Sequence, residues 1–563
     1  MLFGRNKEAF RFEVQGDEAV LTRCSSRDAH IEIPDTHDGK PVTAIGDNAF
    51  YDNGKMESVS LPATLKKIGM NAFRGCDSLK EAVLPALVTS IGEYAFAGCK
   101  ELERIALPDG IAEIPSGAFS KCRRLASVTV PDSVSSVGSE AFAGCQALGS
   151  VLLGSGVKSV GEDAFKGCSG HLCLVMPESL PMDEELQQHC DRIYRRLGDG
   201  LLLAAYAGHE TQLVLDDEVL GMPVTAIGEK VFAMFAYLES VTLPKKLSSI
   251  GDYAFAGCSG LENIVFPDTL EEIGKGAFSG CGQREGRPGQ LSGGYDPASC
   301  FGLRSVRLPA SLRSVGENAF MGCAALTDVE FGGEGTYLAP GCFSMCPIQQ
   351  FRFPRRTAEI QTSVLRGCAY LENVDIPEGV DSIWERAFEG CMSLKTLRLP
   401  ESLELIGEGA FSNALSLESI VIPAKVRSIA DEAFAFTPNL TDLSVSPDNA
   451  LFEVRDGALI DREEKRLICC LSCREGSYTV PADIETVGAL AFSASRLSEL
   501  TLPANVKRVG DWAFRASQIQ TLTVENENIS FGAGALLDTD AENIEINAPE
   551  AVRKQLLGDE ETA

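Results

Sequence analysis

From Leu238 the chain reads LESVTLPKKLSSIGDYAFAGCSG, and the next stretch, LENIVFPDTLEEIGKGAFSGC, repeats its apolar positions 23 residues on. Leu238, Val241 and Leu243 alternate with polar residues, which predicts a short strand with one face inward. Pro244 ends that strand, because proline brings no N–H to a ladder. Leu247 and Ile250 fill the interior on the way round, and Gly251 allows a corner. The segment 252–257, Asp-Tyr-Ala-Phe-Ala-Gly, then predicts one helical turn. An Ala-Phe pair anchors the repeat. Its second residue falls at 50, 73, 96, 119, 142 and 165, at 232, 255 and 278, at 320, 343 and 365, at 388, 411 and 434, and at 492, 514 and 536. These 18 rungs, with Leu at 365 and 536 and Phe elsewhere, have the period of a leucine-rich-repeat solenoid.

Smaller positions recur with the anchor. An acid stands three residues before it in ten rungs, where it suits the positive end of a short helix. Glycine stands two residues after it in nine rungs, as a left-handed C-cap would. Cysteine stands three residues after it in 11 rungs, from Cys76 to Cys391. Stacked rungs lie ~4.8 Å apart, so these thiols form a ladder inside the coil. Asn53, Ala414, Thr437, Ser495, Ser517 and Thr539 take the same slot in six of the other seven rungs. Small residues in place of sulfur imply a slot that needs size, and hence free thiols in a reducing compartment.

The full rung, Leu-x-x-Val-x-Leu-Pro-x-x-Leu-x-x-Ile-Gly-x-x-Ala-Phe-x-Gly-Cys, resembles the BspA-like, or treponemal-type, leucine-rich repeat. The phrases Gly39-Lys-Pro-Val-Thr-Ala-Ile-Gly46 and Gly221-Met-Pro-Val-Thr-Ala-Ile-Gly228 resemble the way such arrays open. The resemblance implies an α/β repeat solenoid: a right-handed leucine-rich-repeat superhelix with one short parallel strand and one short helical turn per 23-residue rung. It also implies a bacterial, non-catalytic binding scaffold without a cofactor. Many members of the family are surface proteins implicated in adhesion.

Three breaks in the period organise the chain. Between Phe165 and Phe232, the segment 181–197 (PMDEELQQHCDRIYRRL) predicts a capping helix, with acids at its start and arginines at its end. After it, GDGLLLAAYAGHETQLVLDDEVLGMPVTAIG mirrors the N-terminal stretch. Two arms are therefore expected: 1–197 with that helix as its cap, and 198–563. The second arm carries a polar loop near 282–299 and a hairpin insertion near 446–480. There the strands 451–460 and 466–471 are joined by a turn at 461–465. A C-terminal capping helix is expected over 549–558.

Charge narrows the partners. Lys and Arg number 50 and Asp and Glu 80, for a net charge of −30. Such an acidic chain repels polyphosphate and anionic headgroups, so the expected partner is protein, with no nucleic acid and no membrane insertion. The first residues, MLFGRNKEAFRFEVQGDEA, have no basic start and apolar run, and the expected location is cytoplasmic. An exported adhesin is the alternative.

Two cysteine-rich stretches carry a further alternative, a metal or redox protein. They are Cys168, His171, Cys173, His189 and Cys190, and the run Cys469, Cys470 and Cys473. Motifs for a nucleophilic hydrolase, a Walker loop or a dinucleotide site do not occur in the sequence, so no enzyme is expected. Outward strand positions are mostly Ser and Thr, as at Ser240 and Thr242. Charges of both signs cluster at Arg307, Asp328, Glu330, Arg352, Asp375 and Arg398. Those residues, with Tyr295 on the nearby loop, are the candidate partner-binding surface.

Overall fold

The computed structural model describes residues 9–283, 300–472, 474–539 and 544–557. The chain forms two compact units, residues 1–209 with 216–231, and residues 210–215 with 232–563. Both are built from stacked turns of a β-solenoid.

Each regular rung has three faces. The first is the expected strand, as in Ser127–Thr129 and Ser150–Leu152, which pair in parallel with Val128 opposite Val151. The second is a two-residue strand that the sequence reading did not separate, as in Lys67–Ile68 paired with Ser90–Ile91. Its inward residue is the Ile or Val that precedes the corner glycine.

The third face is the anchor turn, and here the α/β reading is corrected. The described residues carry two helices, α1 (Glu184–His189) and α2 (Glu550–Leu557), and the rungs carry turns instead. In all 18 rungs the residues two before and two after the anchor have positive φ. Three residues remain between them, fewer than the 3.6 of one helical turn. The hydrogen bonds explain the geometry. The N–H groups of Asn48, Phe50 and Asp52 donate to Met70, Ala72 and Arg74 in the next rung, at 2.9, 2.7 and 2.8 Å. Those of Ala49, Tyr51 and Asn53 turn back three residues within their own rung. A continuing helix turns its N–H groups back on its own carbonyls, whereas alternation hands half of them to the neighbouring rung.

The aspartates before the anchor serve the same stacking. Asp47 Oδ1 accepts from Met70 N at 2.7 Å, and Asp252 Oδ1 from Lys275 N at 2.8 Å. They cap the next rung's backbone and not a helix of their own.

Inside the coil, anchor rings stack face to face. From Phe50 to Phe73 the centroids are 4.9 Å apart at 11°, and from Phe142 to Phe165 they are 5.7 Å apart at 3°. The cysteine slot does more than supply size. Cys76, Cys99, Cys122 and Cys145 each place Sγ 3.2 Å from the anchor carbonyl of the preceding rung, donating to it. Cys281 takes the ladder slot of its rung, donating to Phe255 O, while Cys300 packs on Ala324 and Ala325.

The helix expected over 181–197 is shorter. Asp183 Oδ1 caps α1 at Leu186 N, and Cys190, with φ −119°, ends it. Arg192–Leu197 is a strand, parallel to Cys173–Met176 and antiparallel to Gly200–Tyr206. The open edge at Cys173–Met176 recruits it, and Ile193 and Tyr194 are buried there. This hairpin lies wholly within the first unit. It repeats the arrangement of Phe10–Gln15, Glu18–Cys24 and Lys40–Ile45: an antiparallel pair followed by a parallel strand with a bulge.

The insertion in the second unit has three strands, Phe452–Arg455, Ala458–Asp461 and Arg466–Cys470. Its first turn falls at Asp456 and Gly457, with φ 49° and 77°, inside the segment read as one strand. That Asp-Gly dipeptide between alternating residues is the hairpin signal that was passed over. Asn449 ties the insertion to the rung before it. Its Nδ2 donates to Pro423 O and Val426 O, and its Oδ1 accepts from Leu451 N and Phe452 N.

Candidate partner-binding surface

The rung between Phe343 and Leu365 is one residue short. From Cys258 to the inward Ile264 is six residues, but from Cys346 to Phe351 is five. Phe351 also stands where other strands put Val or Ile, as at Val306, Val329 and Val374. The shortened connection and the bulkier side chain fall where neighbouring strands part, as strands also do at some full-length steps. Asp328–Phe331 pairs with Ser305–Leu308, and Gln350–Arg352 with Asn373–Asp375, but the two pairs form separate sheets. The two-residue strands separate at the same rung, between Tyr337–Leu338 and Glu359–Ile360. The anchor turn carries on across this seam, with Phe343 N on Val364 O at 3.1 Å and Met345 N on Arg366 O at 2.7 Å, and Arg356 N donates to Glu334 O at 2.8 Å.

The ring stack is diverted there. Leu365 offers no ring, and Phe351 lies 5.5 Å from Phe343 at 58°. Phe353 follows at 4.9 Å from Phe351, and then meets Phe388 edge-on at 6.4 Å. Above these rings is an open depression of about 710 Å³.

Four expected residues, Asp328, Glu330, Arg352 and Asp375, line it, and all are exposed. The charges face one another across the strands. Arg307 is in register with Glu330, Nε to Oε2 3.8 Å, and Arg352 with Asp375, Nε to Oδ2 3.1 Å. Arg398 reaches Glu378 at 3.7 Å, outside the depression. The arginine side chains are 83–86% exposed, so each pair is worth little and opens at low cost. Tyr295 lies outside the described residues.

Sequence reasoning missed Glu334 and Arg355, which pair at 3.7 Å on the rim. They follow the strands and so escape a scan of outward strand positions. Their signal is the departure from Leu-Pro at Phe331-Gly-Gly-Glu334 and the doubled arginine after Pro354.

The cysteine stretches do not support the alternative of a metal or redox site. Burial pushes the thiols of Cys168, Cys190 and Cys469 up to about 12 and that of Cys173 up to about 11. Protonated thiols are poor ligands and nucleophiles. His171 points to solvent, and Leu172 beside it is buried. Cys473 lies outside the described residues. Among the described residues, the cluster of ligand-type side chains contains no cysteine.

The profile of the BspA type Leucine rich repeat region, in six copies, matches residues 43–171, 224–285, 297–384, 359–459 and 469–554. The chain belongs to the BspA-type leucine-rich-repeat family. No curated protein sequence matches it significantly. Among solved structures it is similar to a leucine-rich repeat protein from Bacteroides ovatus, at 24% identity over 78% of this chain and 93% of that one, with a TM-score of 0.35. A leucine rich cell surface protein from Faecalibacterium prausnitzii is 23% identical over 78% of this chain and 94% of its own, with a TM-score of 0.29. A T. pallidum leucine rich repeat protein is 24% identical over 46% and 90%, with a TM-score of 0.22. These likenesses concern the repeat fold. No described helix is long and apolar enough to cross a membrane.

Proposed function

We propose that this BspA-type chain is a non-catalytic scaffold that binds a protein partner on the strand face from Arg307 to Arg398. The observation that carries the reading is the depression at the seam, where the exposed side chains of Asp328, Glu330, Arg352 and Asp375 converge. Elsewhere Ser and Thr are the commonest outward strand residues, and small hydroxyl side chains contribute little hot-spot energy. At the seam, arginines paired only to neighbours on the surface exchange those partners for groups on an incoming protein, which fixes register and steers encounter.

The test begins with a partner isolated on the immobilised full chain. Combining Arg352→Glu with Arg398→Glu is expected to weaken binding at least tenfold and flatten its salt dependence, with the melting transition unchanged. Equal affinity in the double variant would move the site to another face.

We further infer a reducing compartment. The support is the ladder of thiols used as donors to backbone carbonyls, a role that a disulfide sulfur cannot fill. Fractionation of the source cells separates this cytoplasmic reading from an exported adhesin.

A further inference from the structure

Unit 1 ends its regular rungs at Phe165, and α1 covers the anchor turn of that last rung. In earlier rungs the N–H two before the anchor donates to the following rung, as Asn71 N does to Glu93 O. The corresponding N–H of Asp163 donates to the Glu185 carboxylate of α1 instead. One oxygen of Glu185 thus replaces a missing rung, and the other is left for a second role.

His189 stands one turn further along α1, on the same side. Its Nε2 is 3.9 Å from Asp163 Oδ1, while Asp163 Oδ2 is held by Lys166 Nζ at 2.6 Å. One ligand atom from each of Asp163, Glu185 and His189 lies within 4.8 Å of the others, and all three residues are half-buried. An independent feature adjoins them. A partly open void of about 10 Å³, close to the size of one water or ion, is lined by Glu185 and His189 with Val160, Gly161, Ala164, Phe165, Asp183 and Leu186, and Asp163 lies beside it, outside that lining.

We propose that Asp163 Oδ1, the free Glu185 oxygen and His189 Nε2 form a zinc(II) site that fastens α1 to the last rung of the first unit. One imidazole and two carboxylates are a borderline donor set of the kind zinc takes, at bonds of ~2.0–2.2 Å. Tetrahedral ligands at that length lie on the order of 3.3 Å apart, so modest side-chain rotations close the present spacing. Two ligands come from one face of α1 and the third from the rung beneath, so the ion links the two elements. Lys166 offsets one carboxylate charge and holds Asp163 with Oδ1 toward the histidine. The fourth position is left to water. This site shares no cysteine with the stretches set aside above.

The probes are zinc(II) and cobalt(II), added to the full, reduced, metal-free chain. Calorimetry is expected to give one equivalent of zinc at micromolar concentration or below. Hydrogen exchange over residues 184–189 should slow when zinc is present. His189→Ala and Glu185→Gln should each weaken binding at least tenfold, while their metal-free melting curves stay close to that of the parent. Cobalt should show ligand-field bands without a sulfur-to-metal charge-transfer band. Lack of saturable uptake, zinc affinity unchanged in both variants, or a sulfur-to-cobalt band would each overturn the proposal. The first of these would leave Glu185 as a hydrogen-bond cap only.

Discussion

The rungs from Phe50 to Phe165 and those from Phe320 to Phe388 use the same repeat and behave differently. In the first stretch every step is 23 residues and six rings stack 4.9–5.7 Å apart, within 11° of parallel. In the second a step of 22 removes one residue before the strand, and a phenylalanine moves from the anchor to the strand. The regular stretch buries its chemistry. The irregular one opens a depression and lines it with charge. A solenoid rung touches only its neighbours, so a one-residue deletion stays local and changes a surface without unravelling the array.

The largest expected contrast is in thiol reactivity. Burial holds Cys76 and Cys122 up to about 12, against an ordinary value near 9. At pH 8 their thiolate population falls about a thousand-fold below that of an unfolded chain, because each unit is tenfold. Alkylation followed by mass spectrometry should therefore leave them unlabelled until the chain unfolds, whereas half-buried Cys24 and Cys173 should label earlier. The sign for stability follows. A raised thiol pKa contributes stability that is complete below pH ~9 and is lost as pH rises toward ~12. Melting curves over that window should fall. Prompt labelling of Cys76 in the native chain, or successive ladder cysteines found disulfide-linked, would contradict the buried donor ladder.

Removing a ring separates the two stretches next. Phe96 is fully buried between Phe73 and Phe119, so Phe96→Ala should cost about 3–5 kcal/mol. Hydrogen exchange should loosen first in the rungs of Phe73 and Phe119. Uniform loosening across both units would contradict nearest-neighbour stacking.

Much of this was legible in the residues. Period, anchor, strand and cysteine slot follow from apolar spacing alone, and so do the exposed charges at Asp328, Glu330, Arg352 and Asp375. The anchor turn was misread because an acid before it and a glycine after it suit a helix as well as a left-handed turn. The deciding residue, two before the anchor, is not glycine in 13 of 18 rungs, as at Tyr94 and Lys230. Stacking imposes that conformation against local preference, so the bare sequence carries little sign of it. The seam was visible as a step of 22, but its effect depends on where Phe351 goes, which is a matter of packing. Likewise Asp163 and Glu185 are 22 residues apart and join only because α1 folds back over the last rung.

A smaller effect tests whether the seam is the product of ring placement. Phenylalanine suits the anchor slot in 16 rungs, yet Leu365→Phe should destabilise by about 1–3 kcal/mol, because Phe351 and Phe353 already fill the adjoining space. Combining it with Phe351→Val should recover much of that loss and draw the seam together. Denaturant unfolding of the two single variants and the double variant gives the coupling directly. A raised midpoint for Leu365→Phe alone would mean that the slot was merely underfilled.

The smallest effect concerns the turn that makes the regular rungs possible. Two residues after the anchor, nine rungs carry glycine and Phe119's rung carries Lys121, at φ 61°. An L-residue held in that region gives up roughly 1–2 kcal/mol relative to its preferred conformations. Glycine removes this strain but loses about 0.5–1 kcal/mol through the greater freedom of its unfolded chain. Lys121 is exposed, so little packing is lost with its side chain. The balance favours glycine by about 0.5–1 kcal/mol, and Lys121→Gly should raise the unfolding midpoint slightly. Gly144→Ala, at φ 74° one rung on, should lower it by a similar amount; its added Cβ would meet Lys121 Cγ at 3.4 Å, near ordinary contact. Opposite shifts from the two substitutions would show that the left-handed turn is imposed by stacking. Shifts of the same sign would mean that side-chain contacts outweigh the backbone there.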